Sequence, residues 1–339
     1  MSNRPADPPV LVAALRHGLC PPSQLVALQA DEVTTVSHLL QYDSLSGFLA
    51  VAAIDSAVSI PDEAFLAGLM DLWHQQLRAC VILEALVVRV ATLLDDAAVE
   101  WRLTKGAAVA HLDYPNPAVR TFGDVDLVVH PAHWDAAIEA LLASGYTRPA
   151  RALPGDYDDR YGKGATFTTP DGLEIDLHRR FAIGRFGVTS RMEQVFESRD
   201  SVVLAGRSIP TFCASDRLLH ACYHASLGGY RYLRALRDVA QLILVTGADW
   251  ADAFSVARDW RAEPVVASAI IECWQRLQLD TAHPAYQRAI ARPISRADLR
   301  ALEVFRTERP FRAKALTAIG AMPVLDVPRY LWTLVSHRD

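Results

Sequence analysis

The sequence of 339 residues has few cysteines and no long uninterrupted apolar run. Its five cysteines are scattered and form no CxxC pair, so neither a disulfide framework nor a cysteine zinc site is expected. The most apolar stretch, VILEALVVRVATLL, is interrupted by Glu84 and Arg89 and is too short to span a bilayer. The first residues, MSNRPADPPV, lack the charged-then-apolar order of a signal peptide, and a cytoplasmic location is therefore expected.

The sequence also has no excess of positive charge. The formal net charge is −5, and residues 145–200 hold nine basic and nine acidic residues. This balance gives no overall attraction to nucleic acid or to an acidic membrane surface, although a local basic patch remains open. The composition, 51% hydrophobic and 22% charged, is that of a soluble globular chain with room for two or three domains.

Hydrophobic periodicity divides the chain into three parts. Residues 10–98 keep apolar residues at three- and four-residue spacing with few breakers, which predicts successive helices. From about residue 98 the order becomes strand, helix, strand, helix, strand, strand, and from about residue 210 four further helices follow, with a tail from 283 that no pattern assigns. We therefore predict an α+β protein with an N-terminal helical region (1–97), a small α/β core (98–205) and a C-terminal helical region (206–339).

Acidic residues occupy two of the predicted strands of the core. In FGDVDLVVH, Asp124 and Asp126 share one strand face and the intervening Val125 shares the other face with later apolar residues. In LEIDLH, Glu174, Asp176 and His178 likewise share a face. Neighbouring carboxylates repel each other and lose solvation when partly buried, so a cation should offset the cost. Carboxylates from two strands would form an oxygen-rich site suited to Mg²⁺.

This order of motifs resembles the polymerase-beta-like nucleotidyltransferase superfamily. More narrowly, TKGAAVAHLDYPNPAVRTFGDVDLVV, followed by ALLASGYT and LEIDLH, resembles the group of uncharacterised bacterial nucleotidyltransferases known as NTP_transf_5. The resemblance covers about residues 99–181 and extends loosely into HACYHASLGGYRYLRALRDVAQL. It implies the small nucleotidyltransferase α/β fold for the core and transfer of a nucleotidyl group as the activity.

The resemblance also implies roles for individual residues. Asp124 and Asp126 would ligate the metal, with Asp176 as the third carboxylate and as a possible base for the acceptor. The residues that would face the nucleotide are Lys105, Gly106, Arg120 and Gly123. His224 matches the helix histidine of the group and would face the site, and His178 and Arg234 are further candidates for contact with the substrate. The superfamily's usual Gly-Ser turn is here Gly106-Ala107, so phosphate contacts must come from backbone N–H groups, Lys105 or Arg120.

Other candidates have simpler explanations. His220 and His224 share a helix face, but no HExxH motif is present, so a structural or pocket-lining role is expected rather than zinc binding. Arg234 and Asp238 are four residues apart and are expected to form a helical ion pair. Lys163 follows no P-loop pattern and is expected at the solvated surface, with phosphate contact as the alternative.

The expected function is that of an enzyme, a nucleotidyltransferase that depends on Mg²⁺ or Mn²⁺. It would move an NMP from an NTP, such as ATP, to a small-molecule acceptor and release pyrophosphate. A tRNA- or protein-directed nucleotidyltransferase and a catalytically inactive nucleotide-binding scaffold are the alternatives. The expected partners are the NTP and the acceptor, without a membrane.

Overall fold

The computed structural model describes residues 6–21, 24–148, 161–307 and 309–335. Its strands are β1 (Val26–Ala27), β2 (Val58–Ser59), β3 (Trp101–Thr104), β4 (Val125–Val129), β5 (Gly164–Thr168), β6 (Glu174–His178), β7 (Asp200–Leu204) and β8 (Arg207–Thr211). Its helices are α1 (Pro9–Arg16), α2 (Val33–Tyr42), α3 (Ser46–Ile54), α4 (Glu63–Asp96), α5 (Gly106–Asp113), α6 (Trp134–Ala143), α7 (Arg185–Val188), α8 (Ala214–Leu227), α9 (Leu233–Leu244), α10 (Trp250–Asp259), α11 (Glu263–Arg276), α12 (Pro284–Ile290), α13 (Arg296–Arg306), α14 (Phe311–Leu316) and α15 (Val327–Val335).

A mixed six-stranded sheet forms the centre of the core. Its strand order is β5-β6-β4-β3-β8-β7. β4 runs antiparallel to β3 and parallel to β6, and β8 runs parallel to β3. Together with the surrounding helices, this sheet confirms the predicted α+β class.

The alternating side chains of β4 explain why this strand lies in the middle of the sheet. Val125, Leu127 and Val129 are buried in one apolar cluster with side chains of α4 and α6. Val128, on the opposite face, belongs to a second apolar cluster that includes α8 and α9. Because both faces are covered by helices, the acidic residue between Val125 and Leu127 is also withdrawn from water.

The N-terminal and C-terminal helices share one apolar cluster. It contains Leu15 and Phe48 from the N-terminal part and Leu218, Leu236 and Trp274 from the C-terminal part. The long helix α4 contributes its first half to this cluster and its second half to the cluster beneath the sheet. The division into regions 1–97, 98–205 and 206–339 stays a prediction, and β8 joins the sheet beyond residue 205.

Several elements follow the sequence patterns and several were not anticipated. The helix that begins at Gly106, the strand pair β5–β6 and the four helices α8 to α11 agree with the predicted order of elements. The β1–β2 pair, the β7–β8 hairpin and the helices of the tail were missed. Within the described residues, the search found no helix with both the length and the apolar character that a bilayer span requires.

Candidate active site

The two acidic strands lie side by side, with their carboxylates in register. Asp126 of β4 is the direct partner of Asp176 on the parallel strand β6, and Val128 is the partner of His178. On the other side, Asp126 faces Thr104 of β3. One acid from each strand, Asp126 and Asp176, therefore lies on the same face of the sheet.

Asp126 is the most enclosed of these acids, with 2% of its surface exposed. Its Oδ1 atom lies 2.7 Å from Nζ of Lys105 and 2.7 Å from Nε2 of His178. Burial alone would raise the pKa of Asp126, but Lys105 and His178 outweigh it and hold the pKa well below its usual range. Asp126 is therefore a carboxylate at neutral pH. Its buried Oδ2 atom has no hydrogen-bond partner among the described residues.

The donor set beside that oxygen fits a divalent cation. Asp126, Asp176 and His178 each offer one ligand atom, and these atoms lie within 4.8 Å of one another. Oδ1 of Asp176 accepts a hydrogen bond from the Thr166 hydroxyl at 2.5 Å, which fixes the carboxylate on the sheet. Because a buried carboxylate oxygen without a donor is costly, a cation on Oδ2 of Asp126 would satisfy it.

His178 is uncharged at neutral pH. Its burial and the nearby Lys163 ammonium lower the pKa of His178 to about 4, although Asp126 acts in the opposite direction. The Nδ1 atom of the ring is buried and has no hydrogen-bond partner within the described part of the chain. A neutral imidazole is the form that ligates metals, so His178 belongs with the carboxylates in the candidate site.

Asp124 lies just before β4 and is more exposed than Asp126, although the surrounding residues still displace part of the water around its carboxyl group. Loss of surrounding water and the Asp126 charge raise the pKa of its carboxyl group, while Lys105 lowers it. In this conformation Asp124 is not one of the three residues whose ligand atoms cluster. It lines an adjacent cavity instead.

The turn between β3 and α5 brings Lys105 to the acids. Lys105 has φ 50° and ψ −142°, and Gly106 follows with φ 32°. A positive φ is unfavourable for lysine, so the turn holds Lys105 in a conformation that packing must maintain. The ammonium group of Lys105 donates a hydrogen bond to Asp126, and α5 begins at the next residue, Gly106.

A small cavity of about 40 Å³ lies between this turn and helices α8 and α9. Its lining consists of Thr104, Lys105, Gly106, Val109, Arg120, Asp124, Arg217, His220, Ala221, His224, Arg234, Ala235 and Asp238. The lining brings together most of the residues expected near the nucleotide. Gly123 is exposed beside it, and a Cβ added there would meet no atom within 4 Å, so the fold itself does not require glycine at this position.

The structure corrects the expected ion pair between Arg234 and Asp238. Asp238 instead accepts hydrogen bonds from Nε and Nη2 of Arg120, at 3.1 and 2.7 Å, and from the Tyr114 hydroxyl at 2.8 Å. Arg234 donates from Nη1 to the backbone oxygen of Thr121 at 3.0 Å. A spacing of four residues is compatible with an ion pair along α9, but Asp238 is buried and forms its ion pair with Arg120, which precedes β4 in the chain.

His220 and His224 both line the cavity. Nδ1 of His220 lies 3.0 Å from the Thr104 hydroxyl, at the end of β3. Burial, followed by the Lys105 charge, lowers the pKa of each histidine well below its usual value. Their position in the cavity lining agrees with the pocket-lining role expected from the sequence.

Sequence reasoning gave the wrong environment for Lys163. The residue is half-buried and lies close enough to Lys105, Asp126 and Asp176 for their charges to act on it. Burial and Lys105 lower the pKa of Lys163 to about 8. The sequence contains a signal for this position, because a Lys-Gly pair stands at the start of β5 (Lys163-Gly164) as another stands at the start of α5 (Lys105-Gly106).

Comparison with known proteins gives one match that covers most of the chain. A family model described as an uncharacterised nucleotidyltransferase, NTP_transf_5, matches residues 29–278. No curated protein matches.

Two solved structures have weak similarity to the chain. The solution structure of the antibiotic-resistance factor ANT(2'')-Ia is 11% identical with a TM-score of 0.38, and the match covers 53% of this chain and 92% of that one. The crystal structure of an antigenic nucleotidyltransferase-like protein from Paracoccidioides brasiliensis is 18% identical with a TM-score of 0.37, covering 59% and 95%. At these TM-scores neither structure contributes to the assignment.

Proposed function

The chain belongs to the uncharacterised nucleotidyltransferase family NTP_transf_5, and from this premise we propose that it is a Mg²⁺- or Mn²⁺-dependent enzyme that transfers an NMP from an NTP to a small-molecule acceptor. Nucleotidyl transfer follows from the family. The metal, the release of pyrophosphate and the kind of acceptor are the proposal.

The observation that carries the proposal is the buried Oδ2 atom of Asp126. It has no hydrogen-bond partner among the described residues and lies in a cluster with Asp176 and His178. Asp126 and Asp176 would hold the cation, with Asp124 at the open edge of the site and His178 beside them. When bound, Mg²⁺ or Mn²⁺ supplies positive charge that neutralises the phosphate oxygens.

In the proposed reaction, a hydroxyl or amine of the acceptor attacks the α-phosphorus of the NTP. The new O–P or N–P bond forms as the bond between the α-phosphorus and the bridging oxygen of the β-phosphate breaks. Pyrophosphate leaves with that electron pair, and Asp176 takes the proton of the acceptor. Asp176 suits this role because its carboxylate is held by the Thr166 hydroxyl on the sheet face of Asp126.

The cavity residues would hold the nucleotide. Lys105, the backbone N–H of Gly106 and the N-terminus of α5 offer positive charge to the phosphates. Arg120 keeps its Nη1 group for the same purpose, because Asp238 takes only Nε and Nη2. Gly123 would let the nucleotide approach the backbone closely. His224 and Arg234, which face the cavity from the helices, would meet the nucleotide or the acceptor.

The Lys105–Asp126 ion pair favours one alternative. The Lys105 ammonium, 2.7 Å from Asp126, already neutralises part of the Asp126 charge. A protein that no longer binds the metal would need such a replacement for the metal charge. The inactive nucleotide-binding scaffold is therefore the second candidate. It differs from the enzyme in a measurable way, because it binds NTP without releasing pyrophosphate.

The test uses each of the four NTPs labelled at the α-phosphate, incubated with the protein, Mg²⁺ or Mn²⁺ and a metabolite extract. We expect label on a small molecule with pyrophosphate in equal amount, and neither with Asp126→Asn. Label on tRNA or on a protein would replace the small-molecule acceptor. Nucleotide binding without pyrophosphate release under every condition would favour the scaffold.

A further inference from the structure

Lys163 is held rigidly at the edge of the acidic cluster. Its backbone oxygen accepts hydrogen bonds from the amides of Arg179 and Arg180, at 2.9 and 3.1 Å. The next residue, Gly164, pairs with His178, and a Cβ at Gly164 would lie 2.2 Å from the backbone oxygen of Leu177. Glycine therefore allows β5 to approach β6 closely, which brings Lys163 to the end of the sheet that carries His178.

The Lys163 ammonium forms no ion pair at contact distance with a carboxylate of the described residues. Among the described residues, no carboxylate oxygen lies within 4.0 Å of its ammonium group. Lys105 differs, because its ammonium is 2.7 Å from Asp126. Arg120 and Arg217 differ as well, because each is bonded to a buried aspartate. Asp126, Asp176 and Asp124 attract the ammonium only at longer range, and burial and the Lys105 charge outweigh them and lower the pKa of Lys163 to about 8.

An anionic ligand would give the Lys163 ammonium the close partner that the described residues do not provide. A metal ion on Asp126 and Asp176 would repel the ammonium and would take up the negative charge that those carboxylates now offer. A phosphate oxygen would satisfy both the metal and the lysine, because phosphates bridge cations readily.

We propose that Lys163 binds a phosphate oxygen of the nucleoside triphosphate on the side of the metal site opposite the cavity. This proposal rests on the proposed function. Lys105 and Lys163 then flank the reacting phosphates from two strands, β3 and β5, with the carboxylates of β4 and β6 between them. No sequence motif points to Lys163. The close packing of β5 on β6 and the absence of a close ion pair among the described residues do.

The experiment measures binding of inorganic tripolyphosphate in the presence of Mg²⁺ by calorimetry, which needs neither the base nor the acceptor to be known. The sequence holds only three lysines, so Lys314 of α14 is a matched control for Lys163. We expect Lys163→Met to weaken binding by about 10- to 100-fold, the usual effect of losing one charge-assisted hydrogen bond. Lys163→Arg should restore part of the affinity, and Lys314→Met should leave it unchanged.

A second readout is thermal stability without ligand. Because Lys163 is partly buried without an ion pair at contact distance, Lys163→Met should unfold at the same temperature as the parent or higher. Equal tripolyphosphate affinity in the parent and in Lys163→Met would overturn the phosphate-binding role of Lys163 but not the proposed function. An anionic group of the acceptor would then be the candidate partner of the Lys163 ammonium. A parent that binds no tripolyphosphate with Mg²⁺ would count against the proposed function itself.

Discussion

The buried ion pair between Arg120 and Asp238 gives a prediction that can be worked out from the structure. The two side chains are 4% and 9% exposed, and Asp238 accepts three hydrogen bonds from Arg120 and Tyr114. Asp238→Asn keeps the shape of the side chain but removes its charge. The Arg120 guanidinium is then left in a buried site without a counter-ion, and breaking a buried pair in this way costs about 3–5 kcal/mol of folding free energy.

The chain contains a matched control in the ion pair between Arg89 and Asp171. Here the two side chains are 51% and 52% exposed, and exposed pairs contribute only about 0–1 kcal/mol. Asp171→Asn should therefore change stability little. Urea unfolding followed by circular dichroism at pH 7 gives both free energies.

The comparison also tests the role of Arg120. If Asp238→Asn costs no more than Asp171→Asn, the Arg120 guanidinium does not depend on Asp238. The Arg120–Asp238 pair would then contribute no more to stability than an exposed pair. Arg120 would be free to serve the phosphates with its whole guanidinium group.

Three further predictions concern metal, pH and nucleic acid. Mg²⁺ or Mn²⁺ should raise the thermal midpoint, and more so with NTP, because ligands that bind only the folded state stabilise it. The shift should be absent in Asp126→Asn. If the thermal scans of the parent coincide with and without metal and NTP, the proposed metal site is wrong. Burial raises the pKa of Asp43 to about 7, although the nearby Arg234 lowers it. The folded state therefore binds more protons than the unfolded state between about pH 4 and 7. The contribution of Asp43 to stability falls as pH rises through that window. Asp43→Asn should therefore gain roughly 2 kcal/mol relative to the parent between pH 5 and pH 8, and an unchanged difference in urea unfolding would refute the assignment. Binding of tRNA at physiological salt should be weak and non-saturable because the charge is balanced, whereas a dissociation constant below about 1 µM in a filter-binding assay would favour the tRNA-directed alternative.

The features that depend on local pattern were predictable from the sequence. A period of two residues predicts that Asp124 and Asp126 share a face of one strand, and that Asp176 and His178 share a face of the next, whatever the fold around them. The helices α8 to α11 carry the three- and four-residue spacing that a helix on a core requires. The β7–β8 hairpin was missed although Ala205 and Gly206, both at positive φ, form the kind of turn that joins such strands.

The partners of the charged residues were not predictable in the same way. Arg120 and Asp238 are separated by 118 positions, and Lys105 and Asp126 by 21. Such contacts depend on how distant elements pack, which no local pattern specifies. The β1 and β2 strands, of two residues each, are too short for any periodicity to show. Lys163 was assigned to solvent because the tight contact at Gly164 becomes visible only in the folded chain.

The central claim is that Asp126 serves nucleotidyl transfer, and pyrophosphate release tests it most directly. The parent, Asp126→Asn and the surface control Asp171→Asn are compared with the best NTP and acceptor found, at a temperature where circular dichroism shows each protein folded. Because transfer depends on positioned metal charge, we predict that Asp126→Asn loses at least about a hundredfold in turnover while Asp171→Asn keeps the parental rate. A folded Asp126→Asn protein that releases pyrophosphate as fast as the parent would contradict the account.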